Sequence, residues 1–183
     1  MRRTRVFVVP LFLSFLLTGC PFESKTPIGD PLVGSLDSRL LGLWSWTDST
    51  ASGGVTQFKV FRFNSSEYYV ETLEKGKEVG RSRMYIVTIG GQRFLSINEI
   101  EDDEATNSFL FARYAISEAG VLSIRFIGEK AIPESLASNR QDLIDFLATH
   151  LDGIVLDDPD GPFLLYRSKP DGMPLTGDAK HDR

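Results

Sequence analysis

Cysteine occurs once in the 183 residues, at Cys20, and histidine only twice, at His150 and His181. A lone cysteine rules out an internal disulfide, and so few Cys and His side chains cannot assemble a closed zinc site. A Ser-His-Asp arrangement needs a histidine inside the folded unit. His181 falls in a polar tail, and His150 ends a helical pattern, where the negative end of the helix dipole suits an imidazolium cap. Positive charge is also in short supply, with 20 Lys and Arg against 25 Asp and Glu and a net charge of -5. That sign repels phosphate backbones and anionic lipid, so nucleic acid is not an expected partner and polybasic docking is not the expected route to a membrane.

Other chemistry is equally sparse. Glu99, Glu101, Asp102, Asp103 and Glu104 crowd together as a solvated acidic loop would. Asp157-Asp158-Pro159-Asp160-Gly161 has oxygen ligands and a turn glycine but lacks the spacing and late glutamate of a calcium loop. Gly53-Gly54 and Gly90-Gly91 suit turns better than phosphate cradles, since no helical pattern follows either pair. The expectation is a non-catalytic protein with no metal and no cofactor.

What is present begins at the N-terminus. Arg2, Arg3 and Arg5 precede an apolar run, Val6–Leu17, broken only by Pro10 and Ser14. Spanning a bilayer takes about 20 apolar residues, so this run is too short. A charged start, a short apolar middle and small residues at its end read as an export signal over residues 1–19. Without it the chain keeps 17 basic and 25 acidic side chains, a net charge of -8. The following Leu17-Thr18-Gly19-Cys20 resembles the lipobox of bacterial lipoproteins. That resemblance implies diacylglyceryl transfer to the Cys20 thiol, cleavage before it, and acylation of the new amine. Position 21 is Pro and not the Asp of inner-membrane retention, so the sorting pattern implies an outer-membrane anchor facing the periplasm. The expected membrane contact is thus the N-terminal lipid.

Along the rest of the chain, residues 20–39 have Pro21, Pro27, Gly29, Pro31 and Gly34 and read as a lipidated tether. Residues 169–183 read as a flexible tail, leaving a folded unit over 40–168. Eight runs within it carry strand patterning: Leu41–Trp46, Thr56–Phe63, Glu67–Leu73, Ser82–Ile89, Arg93–Asn98, Ser108–Ile116, Val121–Ile127 and Pro162–Arg167. A helix is predicted over Asn139–Leu151, capped by Ser138 with Gln141, its stripe made of Leu143, Ile144, Phe146, Leu147 and Leu151. The predicted fold is mainly β: a small antiparallel up-and-down barrel or curled sheet of about eight strands. The helix before the last strand would cover an outer face or plug one end.

Gly42-Leu43-Trp44 opens the first strand run and Arg167 closes the last. This resembles the lipocalin and wider calycin pattern, in which a first-strand Trp packs beneath a last-strand Arg or Lys. The sequence departs from typical lipocalins in placing its helix before the last strand. The resemblance implies Trp44 and Arg167 as a structural pair, with Trp46 on the face of Trp44. It also implies an interior able to hold a small hydrophobic or lipid-like ligand. By alternation the wall would draw on Phe58, Tyr68, Phe109, Leu122, Ile124 and Phe126. The alternative is an envelope interaction protein whose barrel is filled by its own side chains. The thirteen Phe residues, and the doubly apolar Phe109-Leu110-Phe111, fit either a filled core or a covered outer surface.

Overall fold

The computed structural model describes residues 21–47, 54–100, 108–151 and 162–168. These form β1 (Glu23–Ser24), β2 (Gly42–Thr47), β3 (Val55–Arg62), β4 (Glu67–Glu74), β5 (Lys77–Ile89), β6 (Gln92–Glu99), β7 (Phe109–Ile116), β8 (Leu122–Phe126) and β9 (Phe163–Arg167). One α-helix, α1 (Arg140–Thr149), lies between β8 and β9. Strands β2 to β9 pair antiparallel in chain order, and β9 returns to pair with β2. The result is a closed eight-stranded up-and-down barrel with β1 added outside it.

Local sequence explains the meander. The Asn64 side-chain oxygen accepts from the backbone N–H groups of Ser66 and Glu67, both at 2.8 Å, and so turns β3 into β4. Gly90 and Gly91 both take positive φ, 56° and 78°, the two-residue hairpin geometry that follows strand twist. β5 starts five residues earlier than its apolar run, at Lys77, and its pairing with β4 shifts register at Thr72/Leu73. That polar first half shows no strand pattern because its pairing partner, not its own hydrophobicity, holds it.

Two hydrophobic clusters form. The interior cluster includes Leu40, Trp44, Tyr68, Leu95, Tyr114, Leu122 and Leu165. The second lies outside the wall, where Phe94, Phe111, Ile89 and Ile127 meet Leu143 and Leu147 of α1. β7 serves both: Phe109 and Phe111 face the helix side, while Ala112 and Tyr114 are paired across from inward Phe126 and Ile124. The doubly apolar segment is therefore a wall with cores on both sides. Much of the phenylalanine content belongs to the outer core.

The helix is where its stripe predicts, covering an outer face. Its cap is Asn139 and not Ser138: the Asn139 side-chain oxygen accepts from the N–H groups of Gln141 and Asp142 at 3.1 and 3.3 Å. Asn caps as well as Ser does. His150 ends the helix, its ring stacked on Phe146 at 4.2 Å and its Nδ1 2.9 Å from the Phe146 carbonyl oxygen.

The largest departure from expectation is the segment read as a tether. Composition rich in Pro and Gly suggests a spacer, yet residues 21–40 pack against the barrel. Phe22 donates its N–H to the Ile127 carbonyl at 2.8 Å, β1 pairs with β7, and Ser24 Oγ donates to the Ala137 carbonyl at 2.8 Å. Phe22 and Ile28 are buried in the outer cluster, and the Tyr85 hydroxyl donates to the Ile28 carbonyl at 2.9 Å. A few apolar anchors, each burying area worth about 1.5–3 kcal/mol, suffice to fix a chain that lacks any periodic pattern. Cys20, residues 1–19, the acidic run 101–104, the segment 157–161 and the tail 169–183 lie outside the described residues.

The helix and the β5–β6 hairpin also meet. A Cβ on Gly90 would come within 2.4 Å of Leu151 Cδ1, whereas one on Gly91 would meet nothing within 4 Å. Both substitutions carry the strain of positive φ, about 1–2 kcal/mol. Gly90→Ala is expected to lose more stability in urea unfolding than Gly91→Ala, the excess reporting displacement of Leu151. Equal losses would show that this helix–hairpin contact contributes nothing.

Candidate functional site

One end of the barrel is sealed. Residues 37–41, including a short 3-10 turn at Ser38–Leu40, cross it. The Trp44 indole N–H donates to the Leu40 carbonyl at 2.8 Å. The Arg167 guanidinium lies 4.7 Å from the Trp44 ring centroid and donates to the carbonyls of Leu41 at 3.0 Å and Arg39 at 2.5 Å. Closure of β9 onto β2, with Trp44 directly opposite Arg167, brings the pair together from the two ends of the folded unit. Arg167 therefore does two jobs: it covers the indole and satisfies carbonyls of the crossing segment.

Beside this pair sits Asp37, whose carboxylate accepts from Arg39 Nε at 2.9 Å and Nη2 at 2.7 Å, and from Arg93 Nη2 at 2.8 Å. The Tyr68 hydroxyl accepts from the Asp37 N–H at 2.5 Å and donates to the Asp37 carbonyl at 3.1 Å. The Arg39 hydrogen bond, then Arg93, holds the Asp37 carboxyl well below the usual carboxylate range, against the opposing effect of burial. Burial pushes the Tyr114 and Tyr68 hydroxyls up, so both stay neutral. This cluster has an ionic look, but Tyr68 and Arg93 tie the crossing segment to strands β4 and β6, while Arg39 pairs with Asp37 within the segment. It is a lid lock. Asp37 shows no signal in sequence, because Tyr68 and Arg93 lie far along the chain and the neighbouring Arg39 alone does not mark it. Arg93 carried one: it alternates with the inward residues Leu95 and Ile97.

Burial falls away toward the other end. Trp44 and Tyr68 are fully buried. Phe58, Ile124, Trp46 and Phe163 pack on the interior cluster yet are only half-buried. Trp46 and Phe163 have ring centroids 5.8 Å apart, and Phe126 meets Phe163 edge-on at 5.7 Å. An offset or edge-on aromatic rim of this kind presents apolar area with little charge.

The six residues expected to line a ligand wall thus divide. Phe58, Ile124 and Phe126 share the half-buried end. Leu122 is buried in the sealed half. Tyr68 also lies there, fully buried and with its hydroxyl committed to Asp37. Phe109 is on the outer face under the helix, because Ala112 and Tyr114 fix the opposite parity of β7 as inward. Trp46 and Phe163 were missed as rim residues, although Trp46 shares the parity of Trp44. Among the described residues, no three His, Cys, Asp or Glu side chains are grouped to hold a metal, and no helix is long and apolar enough to cross a membrane. No family model, curated protein or solved structure matches the chain.

Proposed function

We propose that the protein is a lipid-anchored envelope lipoprotein, not an enzyme, whose barrel binds a small hydrophobic ligand such as an acyl chain. The observation that carries the binding reading is the burial gradient: a barrel locked at the Asp37 end, with an aromatic rim of Trp46, Phe58, Phe126 and Phe163 half-buried at the other. Ligand sites are concave, apolar and closed on most sides, and the rim supplies surface suited to a hydrocarbon. The anchor reading rests on Leu17-Thr18-Gly19-Cys20 behind a signal-like segment. Two or three acyl chains there would hold firmly, at about 0.8 kcal/mol per buried methylene. The next residue, Pro21, bridges to Gly128 on the barrel. A lipid on Cys20 would therefore hold the domain against the bilayer with almost no spacer, on the periplasmic face of the outer membrane by its sorting pattern.

Titration with a fluorescent fatty acid is expected to saturate. Ile124→Trp, which fills the rim end, is expected to weaken binding about tenfold, the equivalent of about 1.4 kcal/mol. Binding that never saturates favours the second reading, an interaction protein with a filled barrel. That reading draws on one observation: Phe61 and Phe63 are 44% and 53% exposed on the outer wall, beside Tyr69 and Arg83. Clustered exposed aromatics mark protein contact surfaces.

A further inference from the structure

On the outer wall, Arg113 of β7 and Arg125 of β8 are paired directly opposite each other. Directly opposed residues on one sheet face have Cβ atoms about 5 Å apart, and like charges so placed repel. Both side chains are half-buried, which limits screening by water. Arg113 Nη1 donates to the Gln92 side-chain oxygen at 2.9 Å, a neutral partner. Among the described residues neither arginine has a carboxylate within salt-bridge distance. In a chain with more acidic than basic groups, an arginine pair that no described carboxylate neutralises stands out.

The pair also has a space beside it. The next outward pair along the ladder is Ala115 opposite Ser123, and these small residues leave a floor between taller neighbours. A shallow cavity of about 170 Å³ lies there, lined by Arg113, Tyr114, Ala115, Ser123 and Arg125. Two guanidinium forks engaged bidentately call for up to four acceptor oxygens, and a carboxylate has only two. A phosphate group presents three or four oxygens and can meet both forks, with the Ser123 hydroxyl as a further donor.

We infer that this cavity is a binding site for a phosphate group, distinct from the barrel interior and independent of any ligand held there. The group can arrive as free phosphate or as the headgroup of a phospholipid. The neighbouring wall suits either source, since Leu164, opposite Ser123, is 39% exposed beside the cavity.

The test uses the protein in non-ionic detergent at low ionic strength, with thermal melting as readout. Inorganic phosphate is expected to raise the melting temperature saturably beyond sodium chloride of equal ionic strength. Arg125→Gln and Ser123→Leu are each expected to weaken that response at least tenfold, the first by losing a fork and the second by filling the floor with both charges intact. Lys59→Gln, on another strand, is expected to leave it unchanged. Without phosphate, Arg125→Gln is expected to melt no lower than the parent, since it relieves the repulsion.

Dihexanoylphosphatidylglycerol below its micelle concentration forms the second arm. A response to phosphate alone identifies a solute site, and a response to the lipid alone identifies a headgroup site. A response to both shows that the phosphate group is read whatever carries it. Each supports the site if Arg125→Gln weakens it at least tenfold. No response beyond chloride in either arm, or an equal response in Ser123→Leu, overturns it.

Discussion

Trp44→Ala is expected to lower the free energy of unfolding by about 3–5 kcal/mol, the usual loss when a large buried aromatic is truncated and its cavity does not collapse. Trp44 is completely buried at the meeting of β2, β9 and the crossing segment. Its removal takes away more than packing. The Leu40 carbonyl loses its indole donor, and the Arg167 guanidinium loses the ring beneath it. Chemical denaturation read by far-ultraviolet circular dichroism measures the loss. Arg167→Ala removes the cation–π contact and two hydrogen bonds, for about 2–3 kcal/mol. The double variant is expected to lose less than the sum, because the two side chains share one contact. Strict additivity would show that the indole and guanidinium stabilise the barrel separately.

Asp37→Asn is expected to cost about 2–3 kcal/mol at about pH 7, since it weakens charge-assisted hydrogen bonds to two arginines. The Asp37 side chain is only 7% exposed, but its partners Arg39 and Arg93 are 56% and 40% exposed. Solvent at the arginines keeps the loss below that of a fully buried pair. The sign of the pH effect follows from the lowered carboxyl. A group whose folded pKa lies below its unfolded value of about 3.9 adds full stability above that value. The contribution is lost as pH falls through the folded range. The gap between parent and Asp37→Asn is therefore expected to be constant above about pH 5 and to narrow at about pH 2.5. Urea unfolding midpoints at the two pH values check this, and a gap that stays the same would mean that the carboxylate charge is not what locks the lid.

The contrast between Trp44 and Asp37 shows what sequence makes visible. Period-2 patterning and turn residues such as Asn64 and Gly90-Gly91 are local, and they marked the eight barrel strands close to their observed bounds except for the start of β5. The pairing of Trp44 with Arg167 follows once those strands close in order. Alternation assigns Phe109 to the ligand wall and the structure puts it outside, because β7 is apolar on both faces and only the helix settles which side is which. Residues 21–40 misled for a related reason: Phe22 and Ile28 are isolated anchors without a period, and their partners lie far along the chain. Asp37 is the extreme case, a solvated-looking acid until Arg93 is folded over it. The rim at Trp46 and Phe163 depends on a gradient of burial along the barrel axis, which alternation within a strand does not encode.

Whether the half-buried end of the barrel holds an apolar ligand can be read by native mass spectrometry of the purified protein. A population heavier than the denatured chain by a discrete, lipid-sized mass is expected, one that denaturation releases and Ile124→Trp diminishes. A single bare mass for both proteins, with no uptake of added fatty acid, would contradict it.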